Sequence, residues 1–137
     1  MCDPKNWVGL LGKFGYEKAL SDYIATYPQH LEDGLLPHPN ARIREMVFTD
    51  RKRMDVLLID REGTPVIVEC KQHSPYVNDI EQLRHYMKRF YEKTKQSSRG
   101  ILVHGGARIV SGEVIQEARK SPAVKIVSYR LQVDFLS

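Results

Sequence analysis

Two apolar runs, Met54 to Asp60 and Pro65 to Lys71, are joined by only three residues, Arg61-Glu62-Gly63. A connection that short forces an antiparallel hairpin, and a three-residue loop favours a type I turn closed by a left-handed residue, a position suited to Gly63. If Asp60 pairs with Thr64, counting outward sets Leu57 opposite Ile67 and Asp55 opposite Glu69. Directly opposed residues share a face, so Asp55, Glu69 and Lys71 cluster at the open end, with Val56, Leu58, Val66 and Val68 on the other face. A loop one residue shorter or longer would put Asp55 opposite Cys70 and break the cluster.

The rest of the chain wraps this hairpin in helices and further strands. Leu20, Ile24 and Tyr27 recur at helical spacing, which predicts a helix from Tyr16 to about Tyr27, ended by Pro28. Leu36 to Asn40 reads as a loop, because two prolines and an Asn cannot continue a helix. Ile43 to Thr49 reads as a strand. A long helix is expected from Ser74 or Asn78, the latter paired with Glu81 as in a capping box, to about Lys95. Arg99 to His104 reads as a strand, Gly112 to Lys120 as a short helix after Ser111, and the tail from Val124 to Phe135 as a strand that alternates from Val127 onward. The order is αβββαβαβ. A strand-helix-strand-helix-strand ending implies parallel pairing there, so the expected class is α/β with a mixed sheet flanked by helices.

At 137 residues and 15.8 kDa the chain has room for one domain with a core, expected over residues 1 to 137 with residues 1 to 13 as an extension. No apolar run approaches the roughly 20 residues of a membrane span, and the first residues lack a secretory signal pattern, so the expected location is the cytoplasm with no membrane partner. Cys2 and Cys70 fit neither a disulfide framework nor a zinc site and are expected to be reduced. The net charge is +4, distributed unevenly. Arg84, Lys88, Arg89, Lys93, Lys95 and Arg99 stand against the single acid Glu92, and Arg42, Arg44, Arg51, Lys52 and Arg53 against Glu45 and Asp50. Such clustering is the footprint of a polyanion binder as well as that of a solvated helix face.

Two opposed carboxylates repel unless something positive lies between them. A divalent cation fills that need, and Mg²⁺ is usually held by one or two carboxylates while keeping water and phosphate as its other ligands. Lys71 beside it would position or deprotonate a water and offset charge growing on phosphorus. The alternative is a surface salt bridge at a strand end. Glu17 falls on the apolar stripe of the first helix, where a carboxylate needs a partner. In the long helix Ile80, Leu83, Met87 and Phe90 form one stripe, and Gln82, Tyr86, Arg89 and Lys93 form a polar and cationic one beside it.

The order Glu17, Asp55, Glu69-Cys70-Lys71, Gln82-x-x-x-Tyr86 resembles the PD-(D/E)xK nuclease superfamily, and the Gln-x-x-x-Tyr element its RecB-like branch. The stretches "EKALSDYIATYPQHLEDGL", "RMDVLLIDREGTPVIVECK", "DIEQLRHYM" and "RGILVHGG" are similar to the nuclease domain of the NucS (EndoMS) mismatch endonucleases, over about residues 14 to 133. The resemblance implies a restriction-endonuclease-like αβββαβ core, Mg²⁺ or Mn²⁺ as cofactor and DNA as substrate. By position it makes Asp55, Glu69 and the Cys70 backbone carbonyl metal ligands, with Glu17 joining directly or through water. Lys71 becomes the catalytic lysine, and Gln82 and Tyr86 an accessory pair. Arg53, Arg84, Lys88, Arg89, Lys93 and Lys95 are the expected DNA contacts. The separate N-terminal DNA-binding domain of that family has no counterpart here, so mismatch recognition and the usual dimer contacts do not carry over, and a separate recognition protein is an expected partner. A catalytically silent DNA-binding or regulatory module on the same fold is the alternative. A small-molecule α/β enzyme lacks its Gly-rich phosphate loop, for which His104-Gly105-Gly106 is the sole candidate. For the tail, pairing with a second copy as a homodimer competes with folding back on Trp7, Val8, Leu10 and Leu11.

Overall fold

A computed structural model describes residues 16–40, 55–106, 110–130 and 134–137 of the chain. Its centre is the hairpin. Strand β2 (Val56–Ile59) and strand β3 (Pro65–Lys71) pair antiparallel with Leu57 opposite Ile67, the register that the three-residue loop demands. The turn is closed by Gly63 at φ 81°, whose N–H donates to the Asp60 carbonyl at 3.0 Å, by the Asp60 N–H donating to the Thr64 carbonyl at 3.0 Å, and by the Asp60 carboxylate, which accepts from the N–H groups of Glu62 and Thr64 at 3.0 and 2.9 Å. A left-handed residue costs a side-chain-bearing amino acid about 1 kcal/mol, and glycine avoids that cost.

Outward from β3 the pairing is parallel. Strand β4 (Arg99–His104) lies beside β3 and strand β5 (Val124–Ser128) beside β4, each reached through a helix: α2 (Val77–Thr94) and α3 (Gly112–Arg119). On the other side of the hairpin, Leu36–Pro37 forms a two-residue strand β1, antiparallel to β2, where the sequence reads as loop. The result is a five-stranded mixed sheet in the order β1-β2-β3-β4-β5, flanked by helices, an α/β fold. The proposed strand at Ile43 to Thr49 lies outside the described residues.

Strand alternation divides the core in two. Val56, Leu58, Val66, Val68, Cys70, Ile101 and Val103 face helix α1 (Tyr16–Thr26), packing with Ile24 and Leu35. Leu57, Ile67 and Leu102 face α2 and α3, under Ile80, Leu83, Tyr86, Phe90 and Val114. Phe90 is wholly buried, and its truncation to alanine would cost about 3–5 kcal/mol. Cys70 is a free thiol within the first of these layers.

Several boundaries differ from the sequence expectation for local reasons. Helix α1 ends at Thr26, and Pro28 opens a short 3₁₀ turn in which Tyr27 stacks on His30 at 5.3 Å, so Tyr27 is half exposed and leaves the apolar stripe to Leu20 and Ile24. Helix α2 begins at Val77 with Tyr76 as its N-cap. The Tyr76 N–H donates to Asp79 Oδ2 at 2.8 Å, so this pair replaces Asn78 and Glu81 in the role of capping box. Tyr86 takes a core position and Met87 packs at its margin, the reverse of the expected stripe. Strand β5 stops at Ser128. Beyond it Phe135 and Leu136 are almost fully exposed, so the alternation of the tail outlasts its sheet pairing.

Candidate active site

The alternation that buries Ile67 under α2 places Glu69 and Lys71 on the same side, at the end of β3 remote from the turn. Continuing the β2–β3 register by one pair sets Asp55 across from Glu69. The two residues are bound crosswise. The Asp55 N–H donates to Glu69 Oε1 at 3.2 Å, and the Cys70 N–H donates to Asp55 Oδ2 at 2.8 Å. Each carboxylate is therefore aimed by the other strand's backbone, a rigid placement that needs no further residue.

Glu69 is 4% exposed. Burial, and then the charge of Asp55, raise its pKa from the ordinary 4.5 to about 8, with the Asp55 N–H and Lys71 only partly offsetting them. The two acids thus oppose each other's ionisation. Among the described residues, Asp55 and Glu69 are the side chains that could hold a metal ion, and two carboxylates match the protein share of a Mg²⁺ shell. No group of three or more His, Cys, Asp and Glu side chains suited to a metal occurs among the described residues. Glu17 is the second residue of α1, and its side chain lies outside the described part, as does Arg53.

Other expected site residues divide by environment. Lys71 is partly exposed beside Glu69, and its carbonyl accepts from the Gly105 N–H at 3.0 Å and from the Tyr129 hydroxyl at 3.4 Å, which ties the strand end in place. Tyr86 is 4% exposed within the layer that includes Leu57 and Ile67, and Gln82, one turn earlier, has a buried amide nitrogen. Tyr86 thus lies on the helix face that covers the sheet, with Gln82 half-buried one turn before it. At Cys70 the contact made with Asp55 comes from the N–H.

The expected DNA contacts also separate. Arg84 is turned to α3, where it forms an ion pair with Glu117 and a 3.4 Å bond to Ser121 Oγ, so it braces one helix against another. Arg89 pairs with Glu92 at 3.4 Å across one helical turn. Lys88 and Lys93 are exposed on α2, and Lys95 caps its C-terminus in the left-handed conformation at φ 63°.

One residue here was not anticipated from the sequence. His104 ends β4, stands in register with Lys71, and shares a face with Leu102 and Glu69. It is 1% exposed, its Nδ1 is buried with no hydrogen-bond partner among the described residues, and burial followed by the charge of nearby His73 holds its pKa below the ordinary value. The signal that would have found it is the β3–β4 register, which the sequence does not state.

A family model for the endonuclease NucS C-terminal domain matches residues 16–120. The chain belongs to the NucS C-terminal domain family. Among curated relatives, endonuclease NucS 2 of Halobacterium salinarum is 34% identical over 89 residues, covering 65% of this chain and 33% of that protein. Endonuclease NucS of Pyrococcus abyssi is 25% identical over 117 residues, covering 81% of this chain and 44% of that protein. The chain thus spans less than half the length of these relatives. The crystal structure of a repair endonuclease from Pyrococcus abyssi superposes with a TM-score of 0.65 at 21% identity, over 81% of this chain and 45% of that one. A structure of EndoMS in complex with double-stranded DNA does so with a TM-score of 0.66 at 20% identity, over 84% and 44%. The shared fold is that of the NucS nuclease domain. No helix among the described residues is long and apolar enough to cross a membrane.

Proposed function

We propose that this NucS-family domain is a Mg²⁺- or Mn²⁺-dependent endonuclease that hydrolyses DNA phosphodiester bonds at the open end of the β2–β3 hairpin. The observation that carries this reading is the crosswise pair of Asp55 and Glu69, fixed on opposed strands, with Glu69 buried and driven toward protonation by its neighbour. Backbone N–H groups that aim two carboxylates at one point prepare a site for a cation, and a simple surface salt bridge needs neither the burial nor the cross-strand bonds. When bound, a divalent cation would neutralise the pair and supply a water of lowered pKa.

The side chains divide the remaining work. Asp55 and Glu69 hold the cation, with Glu17 as the third acid. Lys71, on the same face two residues on, orients the attacking water and faces the charge that grows on the phosphoryl oxygens. Gln82 and Tyr86 keep α2 seated over the site, so that Glu69 stays screened from bulk water. Lys88, Lys93 and Lys95, with Arg53, guide the DNA backbone, whereas Arg84 is engaged with Glu117. A partner chain or a second copy is the proposed source of selectivity for a particular DNA structure.

A silent DNA-binding module on the same fold is the second reading. Incubation with single-stranded, duplex, branched and mismatched DNA, with and without Mn²⁺, separates the two. Metal-dependent cleavage of at least one substrate, lost in Asp55→Asn, supports the nuclease. Binding without cleavage of any supports the silent module.

A further inference from the structure

Among the described residues one carboxylate and one imidazole are buried, Glu69 and His104, and they share a face at the same end of the sheet. His104 stands in parallel register with Lys71 on one side and with Ser128 on the other. Neighbouring strands run about 4.8 Å apart, so the Lys71 side chain starts directly beside the ring. The end of β4 is fixed from several directions. The His104 carbonyl accepts from the Tyr129 N–H at 2.9 Å, the Gly105 N–H donates to the Lys71 carbonyl at 3.0 Å, and a Cβ on Gly105 would lie 2.7 Å from the Tyr129 ring. In this close-packed setting Nδ1 of His104 is buried and has no hydrogen-bond partner among the described residues. A polar atom left so costs about 1–3 kcal/mol, and leucine, which fills the same face two residues back at Leu102, would avoid that cost. Such a cost is tolerated where the group has a task. Burial, and then the charge of His73, hold the ring below its ordinary pKa, so at neutral pH it is uncharged, with one nitrogen that donates and one that accepts.

We propose that His104 is a positioning residue for Lys71: its Nδ1 accepts one N–H of the Lys71 ammonium and holds that group beside the scissile phosphate. The proposal rests on the nuclease reading above and adds to it the residue that aims the lysine. In the metal-free chain Lys71 is drawn to Glu69, whose charge it partly offsets. With a cation between Asp55 and Glu69, Lys71 loses that attraction and is pushed toward β4, since Asp55 stands beyond the other edge of β3, next to β2. His104 offers an acceptor there at the same level of the sheet, whereas Ser128 is exposed and one strand further away. An acid in place of His104 would also catch Lys71, but it would cancel the charge that the phosphoryl oxygens are to meet. An uncharged imidazole holds the ammonium and leaves its charge intact. One N–H given to Nδ1 leaves two for the attacking water and a phosphoryl oxygen. Lysine is among the side chains with most rotamer freedom, and fixing it in advance removes that ordering cost from the barrier.

The test compares two variants of the full chain, because Asn places an oxygen where His carries Nδ1 and Leu places no acceptor there. In His104→Leu, Mn²⁺-dependent DNA cleavage should fall about 10- to 100-fold in kcat with KM unchanged, while the urea midpoint stays at or above wild type. His104→Asn should recover most of the rate. A readout free of cleavage is the ammonium resonance of Lys71 in ¹⁵N-lysine-labelled protein with Mg²⁺ and no DNA, identified by its loss in Lys71→Arg. A hydrogen-bonded ammonium exchanges its protons slowly, so at low temperature and mildly acidic pH the signal should be visible in wild type and His104→Asn and absent in His104→Leu. Equal rates in wild type and His104→Leu, equal losses in both variants, or a Lys71 signal indifferent to His104 would each overturn the positioning role. Failure of His104→Leu to fold would overturn it too, since the imidazole would then serve the core. The backbone amides of Asp55 and Cys70 report the cation separately. If Mg²⁺ shifts them and Lys71 stays invisible, the positioning role alone falls; if they do not move, the nuclease reading falls and the role with it.

Discussion

At one end of the parallel strands Glu32 is gripped by Arg99 through two bonds of 2.7 and 2.9 Å, with Lys125 at 3.4 Å, while Arg99 also reaches Asp60 at 3.2 Å. At the other end Glu69 faces Asp55 with Lys71 as its cationic neighbour. Both carboxylates are largely covered by protein. The bond from Arg99, ahead of every other influence, takes Glu32 down to about 2, whereas burial and Asp55 take Glu69 up to about 8. A fold that neutralises an acid so fully at one end sets one acid against another at the other. The difference marks the first as a brace between the turn after α1, the hairpin and β5, and the second as the place where the proposed cation would relieve a strained pair.

The largest effect that would break this contrast is on activity. Asp55→Asn, Glu69→Gln and Lys71→Ala should each lower DNA cleavage by at least about 10²-fold, because residues acting as one catalytic unit fail together. Glu32→Gln should leave the rate within a few fold under conditions where the variant stays folded. Near wild-type cleavage in any of the first three, measured with Mn²⁺ present, would contradict the assignment.

Stability should respond with opposite signs at the two ends. Arg99→Ala strands Glu32 and Asp60 and should cost about 2 kcal/mol in urea unfolding, since the pairs are only partly shielded from water. Glu69→Gln in EDTA should be neutral or stabilising. A metal-free Glu69→Gln less stable than wild type by more than about 1 kcal/mol at pH 8 would mean that the charge is already compensated within the chain.

The pH profiles sharpen the same point. Glu32 has a depressed pKa, so its contribution is present above the ordinary 4.5 and is lost as pH falls from there toward about 2. For Glu69 the folded value lies above the unfolded one, so the metal-free protein binds the extra proton and loses stability as pH rises from 4.5 through about 8. Urea midpoints across this range should show both slopes. Glu32→Gln should remove the acid one and Glu69→Gln the neutral one. The smallest expected effect is on salt dependence: Lys93→Ala should flatten the slope of log affinity for DNA against log salt by about one unit, and Lys125→Ala, at the braced end, should leave it unchanged.

Much of the candidate site is legible in the sequence because it depends on local chemistry. Three turn residues with Gly63 set the hairpin register, and the register alone opposes Asp55 to Glu69. The parallel order of the last three strands follows likewise from connections long enough for helices. What escaped depends on pairing at a distance. Leu36–Pro37 looks like loop until β2 is beside it, and the tail keeps alternating after Ser128 although the sheet stops. The brace is invisible for the same reason, since Glu32, Asp60, Arg99 and Lys125 are far apart in sequence and Arg99 reads as one more cation of a basic run. Arg84 reads the same way, yet Glu117 holds it. Tyr86 and Met87 exchange roles because adjacent helix positions differ by about 100° of rotation, and only the sheet beneath decides which of them is covered.

The claim that one end of the sheet awaits a cation is tested most directly by isothermal titration of Mn²⁺ into the chain at pH 7, repeated in buffers of different ionisation enthalpy. Wild type should bind and release a fraction of a proton or more per ion, as Glu69 gives up the proton that its raised pKa retains. Asp55→Asn should abolish binding, and Glu32→Gln should leave both affinity and proton release unchanged. Absence of binding by wild type, or binding of equal strength in Asp55→Asn, would contradict the account.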